Sequence, residues 1–249
     1  MENTSIIACD IPADIGRRVI LWSEKEGYSF YKKYKYYPRS SNLDILRKEI
    51  KTLVYHHTAT FTAKDTFSGM NARGLSVNFL IDDDEEGIIY QCLDIKDAGW
   101  SHTILNKKGP GVEICYQPLV SKTPNAYTPA SIASHGVQPH TQAIDKIHGV
   151  NFKVFCPTQA QVDSCVALAK GFKELFPDVP MEFPKDKNGN ITRDVVKGVQ
   201  NYTGLLGHLH IDPQKIDPAG FPFEEIENKL NNSVGYYNCQ NSIENANRK

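Results

Sequence analysis

Apolar residues fall into short runs separated by polar stretches rich in proline and glycine, and the runs change period along the chain. Leu53-Val54-Tyr55, ending at His56, is a continuous apolar run of strand length, as expected of a buried strand. From Ala63 to Arg73 the spacing turns helical, with Thr62 near the start and Gly74 as the stop. Leu75 to Ile81 and Ile88 to Leu93 read as strands joined by the acidic loop Asp82 to Gly87. Those five acids lack the ligand pattern and closing glutamate of a calcium loop, so a solvated turn is expected. Thr158 to Phe176 is the clearest helix: Val162, Cys165, Val166, Ala169, Phe172 and Leu175 recur near the helical period, and Phe176-Pro177 closes it. Pro184 to Asn190 reads as a polar turn, Gly204-Leu205-Leu206 as a short strand and Phe223 to Leu230 as a last helix. Strands interleaved with helices predict an α/β unit.

Three stretches stand outside that pattern. Residues 1–43 are an N-terminal extension whose arm, 17–41, carries Trp22, Tyr28, Phe30, Tyr31, Tyr34, Tyr36 and Tyr37 among Lys32, Lys33, Lys35 and Arg39. Such an arm could stack sugars or bases, but rings packed on the core with wet lysines are the expectation. Residues 117–150, with Pro118, Pro124, Pro129 and Pro139, read as a long insertion that is neither helix nor strand, suited to walling a groove. Residues 231–249 form a polar tail, which leaves 44–230 as the main domain.

Length and composition restrict the function further. A chain of 249 residues lies between one and two domains, and 40% hydrophobic residues suffice for a core. With 28 basic against 29 acidic residues there is no electrostatic footprint for nucleic acid. Residues 1–20 lack the basic start and apolar core of about 7 to 15 residues that export requires. No run approaches the roughly 20 apolar residues of a membrane span. The expectation is a monomer made in the cytoplasm, with no membrane or nucleic-acid partner. The six cysteines show no zinc-pair or redox-pair spacing and are expected to be reduced thiols.

Candidate chemistry concentrates in Gly207 to Phe223, where two imidazoles, two carboxylates and one lysine are fenced by prolines and glycines. Zinc takes imidazole and carboxylate, and a catalytic site leaves one position for water. His208 or His210 with Asp217 would supply two ligands, and the pair His56-His57 at the end of the buried strand would supply the third.

Several separated segments, in order, resemble one known family. They are Leu53-Val54-Tyr55-His56-His57-Thr58-Ala59, then Leu75 to Ile81, then Trp100, then Gly111-Val112-Glu113-Ile114, then the Gly207 stretch. Together, over about residues 44–227, they are similar to the zinc-dependent N-acetylmuramoyl-L-alanine amidases of the type 2 superfamily, which also holds the peptidoglycan recognition proteins. The resemblance implies a central mixed β-sheet flanked by helices, in a single amidase domain. Matched residue by residue, it implies Zn²⁺ held by His56, His208 and Asp217, with Lys215 over the scissile carbonyl. Some members carry a catalytic tyrosine where this chain has Val77; others carry a glutamate on the next strand, and Glu113 stands there. Trp100 and His102 are similar to a groove-lining Trp-His segment, with Ser101 intervening here, and His57 is a further substrate-binding candidate. The implied partner is peptidoglycan or a muropeptide. A phage lysin released through a membrane hole is the expected setting. A cytosolic recycling amidase and a non-catalytic binding or regulatory module are the alternatives.

Overall fold

The computed structural model describes residues 2–31 and 36–231, so Lys32 to Lys35 of the arm and the tail 232–249 lie outside the described residues. The chain opens with an antiparallel hairpin of β1 (Ser5–Ala8) and β2 (Ile11–Asp14), followed by β3 (Val19–Leu21), β4 (Tyr37–Pro38) and α1 (Leu43–Glu49). Next come β5 (Thr52–His57), α2 (Ala63–Ala72), β6 (Phe79–Ile81), β7 (Ile89–Gln91), β8 (Asp97–Ala98) and β9 (Gly111–Ile114). After these follow α3 (Pro129–His135), β10 (Gln142–Ile147), β11 (Val150–Phe155), α4 (Gln159–Leu175), β12 (Gly204–Gly207) and α5 (Phe223–Leu230). Six strands form the central mixed sheet in the order β12-β5-β9-β6-β7-β3. All neighbours are parallel except the antiparallel pair β6 and β7.

Strand β5 has neighbours on both sides, and Leu53, Val54 and Tyr55 are fully buried, as its unbroken apolar run predicts. Its alternate side chains feed two clusters. Leu53 and Tyr55 join the main core with Cys165, Leu168 and Phe172 of α4, while Val54 packs with Leu105, Leu206 and Ile211 on the other face. The Tyr55 hydroxyl donates to the Cys165 carbonyl at 3.2 Å, tying the central strand to the long helix. Helix α4 begins where the sequence expects it, because Thr158 and Gln161 cap each other's backbone groups. At Gly171 a Cβ would lie 2.3 Å from the Ile15 side chain, so the glycine is what admits the N-terminal residues against α4.

Several expectations are corrected. The stretch 117–150 holds a helix and a strand: Thr128 caps α3, Pro129 takes its first position and Gly136, at φ 67°, ends it. The alternating residues of β10 then pair with β11 through the turn at His148-Gly149. Only Phe79–Ile81 of the expected strand Leu75 to Ile81 is a strand, because the Asn78 amide donates instead to the carbonyls of Asp94 and Asp97 at 3.2 and 2.8 Å. The acidic loop is not simply solvated. The Asp82 carboxylate accepts from the Ala63 N–H at the start of α2, and Asp83 is buried against His140 at 2.9 Å, with both side chains fully enclosed. Among the cysteines, Cys9, Cys92, Cys115 and Cys165 are free, whereas Cys156 is disulfide-bonded, and Cys239 lies outside the described residues. The described arm rings pack inward: Phe30 is fully buried, and Tyr28 stacks on Phe67 at 5.0 Å. No described helix is long and apolar enough to cross a membrane.

The Asp83–His140 pair fastens the insertion to the β6–β7 loop, with Tyr127 stacked on the imidazole at 3.9 Å. Asp83→Ala strands that buried imidazole and should destabilise the protein by about 3 kcal/mol. Urea denaturation monitored by fluorescence checks this; a loss below about 0.5 kcal/mol, the scale of an ordinary surface change, would show that the pair does not hold the insertion.

Candidate active site

Strands β12, β5 and β9 run parallel, so their C-terminal ends lie side by side. Gly207 pairs with Tyr55, which puts His208 one step further along beside His56, and His56 itself pairs with Glu113. Three functional side chains therefore occupy neighbouring positions across one end of the sheet, where open α/β sheets place their ligands. Asp217 reaches the same point from the following loop. Its backbone carbonyl accepts from the Leu209 N–H at 2.8 Å, closing the loop on the turn that carries His208. The approach needs a glycine at 207, since a Cβ there would come within 2.8 Å of Pro218 and 3.0 Å of Phe223.

One Asp217 oxygen, Oδ2, lies 2.9 Å from His56 Nδ1 and 3.0 Å from His208 Nδ1. Both imidazoles are nearly inaccessible, at 2% and 5% exposure. Burial alone would raise the Asp217 carboxyl, but the hydrogen bonds to His208 and His56 outweigh it and hold the group well below the usual carboxylate range. Burial lowers the His56 pKa, opposed by its bond to Asp217. The Nε2 atoms of His56 and His208 are buried without a hydrogen-bond partner, an expense that a purely structural trio would have no reason to carry.

The neighbouring histidines divide cleanly. His210 accepts from the Gly207 N–H at Nδ1 and donates from Nε2 to the Thr192 carbonyl, both at 2.9 Å. It is committed to the backbone, with burial lowering its pKa to about 3, so the choice left open between His208 and His210 falls on His208. His57 points to the other face of β5, accepts from the Ala219 N–H at 3.0 Å, and is pushed down to about 4 by burial. Its Nδ1 being an acceptor, the ring carries its proton on Nε2, and the residue also lines the cleft.

The cleft beside the trio has a volume of about 220 Å³, and His56, His208, Asp217, Glu113 and Lys215 all line it. Burial pushes the Glu113 carboxyl well above its usual range, and the negative Asp217 adds to this against the opposing charges of Arg73 and Lys215. Val77 is fully buried and apolar, and packs close to Gly111 on the Glu113 face. Glu113 is thus the titratable wall group on this side of the cleft. Sequence reasoning missed Arg73, Thr58, Thr60 and Ser101, which also line the cleft. The position of Arg73 at the close of α2 was legible, but not that this helix end faces the β5 terminus.

Two sequence candidates sit elsewhere. His102 is fully buried and does not line the cleft; it stacks behind His56 at 5.6 Å, with Nδ1 2.8 Å from the Ser101 hydroxyl. The expectation of His102 as a substrate-binding residue is therefore corrected, since the intervening Ser101 takes the cleft-facing place. Trp100 is half-buried, packs on Tyr37 at 5.0 Å and is likewise absent from the cleft wall.

Among the described residues, His56, His208 and Asp217 are the group that could hold a metal ion, with one ligand atom from each lying within 4.8 Å of the others. Two imidazoles and one carboxylate are a donor set suited to a zinc-type cation, with a coordination position left over. The residues present fit the ion.

A family profile described as N-acetylmuramoyl-L-alanine amidase (Amidase_2) matches residues 46–220. No curated protein matches the sequence. Among solved structures, the chain is similar to the endolysin N-acetylmuramoyl-L-alanine amidase LysCS from Clostridium intestinale, at 17% identity and a TM-score of 0.46, covering 86% of this chain and 95% of that one. It is similar to AmpDh3 from Pseudomonas aeruginosa in complex with an anhydromuramic pentapeptide, at 15% identity and a TM-score of 0.46, covering 82% and 64%. It is also similar to a Drosophila peptidoglycan recognition protein LB variant in complex with tracheal cytotoxin, at 14% identity and a TM-score of 0.43, covering 84% and 92%.

If the trio is a metal site, purified protein titrated with zinc should bind about one ion per chain. Asp217→Ala should weaken that binding by at least about tenfold, and His57→Gln should leave it unchanged. Calorimetry with elemental analysis reads both, and zinc bound by Asp217→Ala as tightly as by the wild type would remove the trio from consideration.

Proposed function

The chain belongs to the N-acetylmuramoyl-L-alanine amidase family, and from that premise we propose that it is a zinc-dependent hydrolase of the amide joining N-acetylmuramic acid to L-alanine in peptidoglycan. The observation that carries this is the convergence of His56, His208 and Asp217 in a cleft that Glu113 and Lys215 also line. When bound by the trio, Zn²⁺ would polarise the scissile carbonyl and lower the pKa of water toward ~7.

The chain's own residues divide the remaining work. Glu113 takes the proton from the attacking water and returns it to the leaving amine, for which its partly enclosed carboxyl is well placed. A carboxyl that favours its neutral form is poised to serve as the acid of the second step. A cation held by His56, His208 and Asp217 would favour the ionised form of Glu113 that the first step needs. Lys215 brings an ammonium group to the cleft, where it stabilises the negative oxygen of the tetrahedral intermediate. His57 donates from Nε2 to a substrate oxygen, its tautomer fixed by the Ala219 N–H. Covalent attachment of substrate is not needed at any step.

The test is release of L-alanine amino termini from purified peptidoglycan and from soluble muropeptides. Glu113→Gln should lower kcat by ~10²–10⁴, and Lys215→Ala by ~10²–10³, with zinc content unchanged in both. Zinc-loaded wild type that binds walls yet frees no termini from either substrate would overturn the hydrolase assignment in favour of a binding module.

A further inference from the structure

The insertion before α4 ends in the β10–β11 hairpin, and its two-residue tip is His148-Gly149. Both residues have positive φ, 50° and 77°, the geometry of a tight two-residue turn. The N–H and both ring nitrogens of His148 bond beyond the hairpin. Its N–H donates to the Arg193 carbonyl at 3.1 Å, Nδ1 lies 3.0 Å from Asp194 Oδ1, and Nε2 lies 2.9 Å from the backbone oxygen of Lys215. A carboxylate and a carbonyl only accept, so each ring nitrogen of His148 is set against an acceptor.

Lys215 belongs to the short loop that returns from His208 to Asp217. The loop is tied internally by Asp212 N–H to His208 O at 3.2 Å, Lys215 N–H to Asp212 O at 3.0 Å, and Leu209 N–H to Asp217 O at 2.8 Å. Those bonds join the loop to itself, Ile211 and Ile216 pack its ends on the core, and at Lys215 the backbone carbonyl is met by the imidazole of His148. Asp194 holds the ring from the opposite edge, and is in turn steadied by the Thr192 hydroxyl on its N–H at 3.1 Å.

We propose that His148 is a positioning residue, a brace from the insertion that sets the backbone of Lys215 and so aims its ammonium group into the cleft. This rests on the role given to Lys215 above. Misplacement of a stabilising charge by a fraction of the reach of its side chain lowers turnover without a matching loss of substrate affinity.

Two measurements on the full chain separate this brace from a merely structural contact. Hydrogen exchange read by mass spectrometry should show the loop 211–217 exchanging at least about tenfold faster in His148→Ala, with α4 unaffected. On muropeptide substrate, His148→Ala should lower kcat about tenfold with KM changed less than about twofold, and His148→Gln should recover part of the loss. In a Lys215→Ala background, His148→Ala should add less than about a twofold loss, because two changes acting through one group are not additive. Unchanged exchange of the loop in His148→Ala overturns the proposal, as does an equal kcat loss in both backgrounds. If the wild type cuts no substrate, the amidase assignment fails and the exchange measurement still decides the brace.

Discussion

Parallel pairing of β12, β5 and β9 is the constraint from which the site follows. In a parallel ladder the strand ends share one edge of the sheet, and paired residues present their side chains to the same face. Because His56 pairs with Glu113 and His208 follows the residue paired with Tyr55, two imidazoles and a carboxylate are lined up before any loop is considered. A slip of one residue in β5 would send His56 to the face of Tyr55 and put His57 in its place, so the apolar face pattern guards the chemistry. Val54 beneath His56 and Tyr55 beneath His57 belong to different clusters, which makes that slip expensive on both faces at once.

Asp217 then resolves an electrostatic difficulty. Two nearly inaccessible imidazoles and a carboxylate in one enclosed corner would be costly as separate groups. As a trio they are mutually supporting: the hydrogen bonds to His208 and His56 outweigh burial and keep Asp217 ionised, while burial keeps His56 unprotonated. Neutral nitrogens and an anionic oxygen are the protonation states that metal binding demands. Glu113, one strand away and without such donors, is driven in the opposite sense by the same burial. Two carboxyl groups lining one cleft are thereby pushed in opposite directions, Asp217 toward its ionised form and Glu113 toward its neutral one.

What was legible in the chain was what local rules decide. Helix α4 showed itself through its period and its Thr158 cap, and β5 through an unbroken apolar run. The trio was legible only by resemblance, since spacing alone left His208 and His210 equivalent; their difference is that His210 spends both nitrogens on the backbone of Gly207 and Thr192. His102 was misjudged because groove-facing and buried positions alternate at Ser101-His102, and which of the two faces outward depends on how the segment crosses β9 near Gly111. Leu75 to Asn78 carried a strand's composition, but Asn78 turns its amide to Asp94 and Asp97, a long-range preference invisible to period. Residues 117–150 were misread because prolines and polar residues dominate the count. The local signals that matter there, the Thr128-Pro129 cap, Gly136 and the His148-Gly149 turn, are few and short.

That insertion is also where two of the chain's unassigned histidines find work. His140 is buried against Asp83 near one end of the β10–β11 hairpin, and His148 bonds Asp194 and the Lys215 carbonyl at its tip. A two-stranded ribbon is weakly stable alone, so its orientation is set by what it is tied to at each end. Here one tie is to the β6–β7 loop, whose Asp82 accepts from the Ala63 N–H at the start of α2, the helix that ends at Arg73, and the other is to the loop that carries Lys215. The hairpin therefore spans between the loop that caps the helix leading to Arg73 and the loop that carries Lys215. A rigid link of that kind suits a site whose wall groups stand on loops, because precision that loops cannot supply by themselves has to be imported from ordered structure.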